Sequence, residues 1–104
     1  MIIEFNTDHH VTATEEFRSP LIALITEKLS RIDHHVTRLE VHLKDENGNK
    51  SSLNDKRCMI EAHVEGQHPL AVTNHGDNYE QAVAGAIDKL KSSLNSLHGR
   101  LNHL

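Results

Sequence analysis

Thr37-Arg38-Leu39-Glu40-Val41-His42-Leu43-Lys44 alternates strictly, with Leu39, Val41 and Leu43 on one side and Arg38, Glu40, His42 and Lys44 on the other. A period of two sends successive side chains to opposite faces, so this stretch predicts a strand with one buried and one wet face. Arg57 to Glu65 repeats the pattern, with Cys58, Ile60, Ala62 and Val64 inward and Met59, Glu61, His63 and Glu65 outward. Between the two lies the polar stretch Asp45 to Asp55, whose Asn47-Gly48 is a good turn dipeptide; it predicts a long, mobile loop. Gly66-Gln67-His68-Pro69 then turns the chain into a short fourth strand, Leu70 to Thr73. Upstream, Ile3 and Phe5 alternate with Ile2, Glu4 and Asn6 as a short first strand.

The remaining segments change period. From Thr14 to Ile32, Phe17, Leu21, Leu24, Ile25, Leu29 and Ile32 recur every three or four residues, the spacing of an amphipathic helix. Its start has two readings: Ser19 as cap with Pro20 in the first helical position, or a start near Thr14 with Pro20 inside. At the other end Asp77 or Asn78 caps a helix whose apolar stripe is Tyr79, Val83, Ala86, Ile87, Leu90, Leu94, Leu97 and Leu101. Gly85 interrupts that stripe at a cost of about 1 kcal/mol against alanine, which points to a close approach by a neighbouring element.

The order is strand, helix, three strands, helix. Hairpins join the last three strands, and the helical connection favours a parallel crossover between the first two. The expected fold is therefore α+β, β-α-β-β-β-α, with a four-stranded mixed sheet and both helices packed on its apolar face. At 104 residues, 37% apolar and 25% charged, the chain is expected to be one domain spanning 1–104.

Several function classes fit poorly. Cys58 is the single cysteine, the start Met1-Ile2-Ile3-Glu4-Phe5 lacks a basic, apolar leader, and the longest apolar run, Leu21 to Ile25, has five residues. A cytoplasmic protein that does not enter membranes is expected. Ten histidines invite a metal reading, but His9-His10 and His34-His35 are adjacent pairs, which diverge on a helix and face opposite ways on a strand. No metal site, cofactor or small-molecule substrate is expected. Cys58 follows Lys56 and Arg57, which would lower a thiol pKa, yet its alternation with Ile60 and Val64 points it into the core. No nucleophile-base arrangement, phosphate-cradling glycine loop or dinucleotide fingerprint is present, so the chain is not expected to be an enzyme.

Formal net charge is −4, but it is distributed by segment: residues 18–57 hold eight bases against six acids, 58–88 hold five acids and no base, and 89–104 hold three bases and no acid. Lys28 and Arg31 share one face of the first helix at i, i+3 spacing. Arg38, Lys44, Lys56 and Arg57 sit on or beside the central strands, and Lys89, Lys91 and Arg100 on the last helix. Either folding gathers these cations into a patch that meets nucleic-acid backbone, or they are solvated charges paired with Glu27, Asp33 and Asp88.

Three strings carry a family likeness. They are Val36-Thr37-Arg38-Leu39-Glu40-Val41-His42-Leu43, Asn54-Asp55-Lys56-Arg57-Cys58-Met59-Ile60-Glu61-Ala62, and Tyr79-Glu80-Gln81-Ala82 running on to Ala86-Ile87-Asp88-Lys89-Leu90. In order and spacing they resemble the ribosome hibernation-promoting factors, ribosome-associated inhibitors also labelled sigma-54 modulation proteins. The resemblance implies a stress-response protein that binds small-subunit rRNA in the mRNA and tRNA channel and blocks translation. By position it implies RNA contacts from Lys28, Arg31, Arg38, Arg57, Lys89, Lys91 and Arg100. Ser92, Ser93, Asn95 and Ser96 stand where family members are commonly basic. Without the C-terminal extension of the long members, the chain is not expected to pair ribosomes. A divergent member serving as a protein-interaction or regulatory domain is the alternative.

Overall fold

Four strands and two helices follow in the expected order in a computed structural model, which describes residues 1–8, 14–30, 36–46 and 55–101, with side chains up to 96. The elements are β1 (Ile2–Thr7), α1 (Glu15–Leu29), β2 (Val36–Asp45), β3 (Lys56–Val64), β4 (Leu70–Gly76) and α2 (Tyr79–Leu101). The sheet runs β1-β2-β3-β4, with β1 parallel to β2 and the other pairs antiparallel. This is the mixed α+β architecture that the alternation and helical periods predict.

Of the two starts open to α1, the chain takes the earlier. Thr14 is extended, its Oγ1 accepts from the Phe17 N–H at 3.1 Å, and Glu15 and Glu16 follow in the first turn. Both acids favour the positive end of the helix. Pro20 lies inside, where its missing N–H withdraws a bond only from Glu16, an exposed residue whose carbonyl water can satisfy.

The inner sheet face supplies Leu39, Val41 and Leu43 from β2 and Cys58, Ile60, Ala62 and Val64 from β3. Against them pack Leu21, Ile25 and Leu29 of α1 and Ala82, Val83, Ala86, Ile87, Leu90 and Leu94 of α2. Leu97 and Leu101 have side chains outside the described set.

Two strand ends differ from expectation. Asp45 is still in β2, and Asp55, assigned to the loop, is buried, with its carbonyl accepting from Glu46 N–H at 2.9 Å. Lys56 explains both. Its Nζ lies 2.9 Å from Asp45 Oδ2, 3.2 Å from Asp55 Oδ1 and 5.8 Å from the centre of the Tyr79 ring, and that ring meets Phe17 edge-on. An ion-pair and aromatic plug thus closes one end of the core. The loop's interior, 47–54, lies outside the described residues.

β4 also continues past Thr73, through residues with little strand preference, because α2 holds it there. Asn74 Nδ2 donates to the Ala82 carbonyl at 3.3 Å, and a Cβ on Gly85 would stand 2.1 Å from that same nitrogen. Gly85 is therefore the close approach that its place in the stripe predicts. Asn78 caps α2, its Oδ1 accepting from Gln81 N–H at 2.8 Å. At Gly76, where β4 meets that first turn, a Cβ would lie 2.7 Å from the Ala82 nitrogen. Backbone cannot retreat as a side-chain tip can. Gly76→Ala is expected to lower stability by about 1–3 kcal/mol in urea unfolding.

Candidate nucleic-acid interface

Helices cover one face of the sheet and leave the other to solvent, and register fixes what each row of that open face contains. Lys44 stands opposite Arg57, and Arg57 opposite His75. Glu4, Glu40 and Glu61 form another row across β1, β2 and β3. Between them lie Asn6, His42, Met59 and Thr73. The face is polarised, basic toward the β2–β3 connection and acidic toward the other end.

Like charges placed directly across a strand pair destabilise it. Lys44 and Arg57 are such a pair, and neither has a carboxylate partner among the described residues. Lys44 is exposed and Arg57 half-buried, so both charges are open to a ligand. His75, the next residue in the row, reaches Glu46 at 2.5 Å.

At the acidic end the cations are occupied. Arg38 Nη2 contacts Glu4 Oε2 at 2.7 Å and Glu40 Oε1 at 3.2 Å. His63 Nε2 lies 2.9 Å from Glu40 Oε2 and 3.2 Å from Glu61 Oε1. The hydrogen bond from His63, helped by the Arg38 charge, holds the Glu40 carboxyl below its ordinary range against the opposing effect of burial.

The helix layer carries the other candidates. Lys28 Nζ bridges to Asp88 Oδ1 at 3.1 Å and ties α1 to α2, while Lys89 Nζ donates to the Thr73 carbonyl of β4 at 2.8 Å. Lys91 has no carboxylate partner among the described residues. Arg31 lies outside the described residues, as do His9, His10, His34 and His35, and Arg100 sits in the last turn of α2 with its side chain undescribed.

The structure thus divides the sequence-derived candidates between opposite faces, with Arg38 and Arg57 on the sheet and Lys28, Lys89 and Lys91 on the helices. Lys56 belongs to the core plug, and its pKa is raised first of all by the hydrogen bond to Asp45. The Lys44–Arg57 juxtaposition depends on register, which the sequence does not display. Cys58 points inward as its alternation predicts, and burial pushes its thiol up to about 12. A thiol so placed stays protonated and is no nucleophile.

Residues 6–102 match the family described as Sigma 54 modulation protein / S30EA ribosomal protein. The chain belongs to that family. The resemblance carried by β2, β3 and α2 is therefore correct, and this family member is a ribosome-associated factor. Its fold recurs in a ribosomal subunit interface protein from Coxiella burnetii, 17% identical, with a TM-score of 0.72 over 95% of this chain and 99% of that one. It recurs also in the N-terminal domain of Protein Y from Thermus thermophilus, 18% identical, with a TM-score of 0.66 over 93% of this chain and 99% of that one. No curated protein sequence matches the chain.

Proposed function

We propose that this family member is a cytoplasmic hibernation factor that binds small-subunit rRNA in the mRNA and tRNA channel and silences translation by occupancy. Family membership over residues 6–102 carries the reading. No bond is made or broken. Shape complementarity and phosphate contacts hold the protein where mRNA and tRNA would otherwise pass.

The proposed contacts are Lys28, Arg31, Arg38, Arg57, Lys89, Lys91 and Arg100, to which the geometry adds Lys44. The Lys44–Arg57 pair offers the physical support, since a phosphate between two facing cations without a carboxylate partner among the described residues relieves their repulsion. Arg38 and Lys28 would have to exchange a carboxylate for a phosphate, so they contribute less.

Cosedimentation with small subunits at two salt concentrations tests the proposal. About four to six phosphate contacts imply a loss of roughly 10²–10³ in affinity between 50 and 200 mM salt. Absence of cosedimentation at the lower salt rejects it. The Glu4, Glu40 and Glu61 row favours a second reading, a protein-interaction or regulatory domain, because three carboxylates across three strands repel RNA backbone. Under that reading, charge reversal at the lysines leaves the partner bound.

A further inference from the structure

Away from the basic row, the open face holds a cluster of different chemistry. Glu40 and Glu61 face each other in the β2–β3 ladder, and His63 follows Glu61 by two residues on the same face. Facing carboxylates repel. A single ring nitrogen serves both, His63 Nε2, at 2.9 Å from one and 3.2 Å from the other. It carries at most one proton, and its hydrogen bond goes to Glu40, so Glu61 faces the same nitrogen with no hydrogen left to accept.

A divalent cation satisfies all three ligands together. The three ligand atoms lie within 4.8 Å of one another. Around a tetrahedral zinc ion with ligands at about 2.0–2.2 Å, neighbouring ligand atoms sit roughly 3.4 Å apart, so the two contacts to Nε2 need to open by only a few tenths of an ångström. These side chains rise from the two central strands, whose pairing fixes their bases. Glu40 is also oriented from behind, since Arg38 takes Oε1 and leaves Oε2 to His63, the kind of outer contact that aims a ligating carboxylate. At 21%, 32% and 34% side-chain exposure, Glu40, Glu61 and His63 are reachable by an ion that keeps water at its remaining position.

We propose that Glu40, Glu61 and His63 form a binding site for a divalent transition metal of the zinc type on the open face of the sheet. The imidazole sets the class, because magnesium and calcium prefer all-oxygen ligands whereas zinc accepts nitrogen beside carboxylate. This revises the expectation of no metal site, which rested on the divergence of adjacent histidine pairs and on finding no carboxylate-histidine spacing beside them. Glu61 and His63 at i, i+2 on one strand face were legible; Glu40 enters only through register. The proposal does not rest on ribosome binding, although Arg38, which orients Glu40 here, is also among the proposed RNA contacts.

Calorimetric titration of the full chain with zinc chloride, alongside imidazole ¹⁵N spectra, tests it. One saturable site per chain is expected, with His63 Nε2 as the ring nitrogen that shifts. His63→Gln should abolish that site, and Glu61→Gln should weaken it by at least the roughly 10-fold that even an outer-shell change costs. No saturable binding, or unchanged affinity in His63→Gln with other rings shifting instead, overturns the proposal. If His63→Gln fails to fold, the wild-type spectra decide by whether the His63 ring moves.

Discussion

Lys44→Glu combined with Arg57→Glu is expected to weaken small-subunit binding by roughly 100-fold or more in about 0.1 M salt. At that ionic strength each neutralised phosphate contributes close to tenfold, and reversal adds repulsion to the loss of two contacts. The fold should tolerate the change, because one facing pair of like charges replaces another. Single Arg57→Glu makes the separation sharper, since it converts repulsion into attraction across β2 and β3 while still removing a contact. Stability that holds or rises while binding falls assigns the effect to RNA. The matched reversal of Lys89 and Lys91 then tells which layer meets the phosphates. Binding unaffected by both double reversals removes the electrostatic basis of the ribosome proposal.

Ile60→Ala is expected to lower unfolding free energy by about 2–5 kcal/mol, a large part of the roughly 5–15 kcal/mol that holds a domain together. Ile60 is 0% exposed at the centre of β3, between Val41 and Val72 in the register. Truncation loses the transfer free energy of the buried methyl groups and leaves a cavity in the two-layer core. Urea unfolding should show a lower midpoint at an unchanged slope. Met59→Ala, one residue away on the open face, should cost far less. Equal losses at the two positions would mean that the faces of β3 are wrongly assigned.

Most of the fold was readable because its elements obey simple periods. Leu39-Val41-Leu43 and Cys58-Ile60-Ala62-Val64 alternate without interruption, and the α2 stripe repeats at helical spacing. Where reading fell short, a distant partner overrides local preference. Asn74-His75-Gly76 reads as the end of a strand until α2 supplies the Ala82 carbonyl, and Asp45 reads as loop until Lys56 arrives beside it.

The candidate interface was less legible for the same reason. Each cation is visible in the chain, but its neutralisation is not, since Arg38 and Glu4 are 34 positions apart and Lys28 and Asp88 are 60 apart. Lys44 meets Arg57 only after β2 and β3 choose their register. Composition shows how many charges exist; pairing decides which remain available.

The hold of Lys89 on the Thr73 carbonyl bears on solubility. β4 is the last strand of the sheet, and such a margin is where folded domains recruit one another into ordered aggregates. With its ammonium seated on a main-chain acceptor there, Lys89 stands guard at that margin. Substitutions at this lysine therefore remove a sentry as well as a cation, so a drop in ribosome affinity has to be read from protein that remains monodisperse.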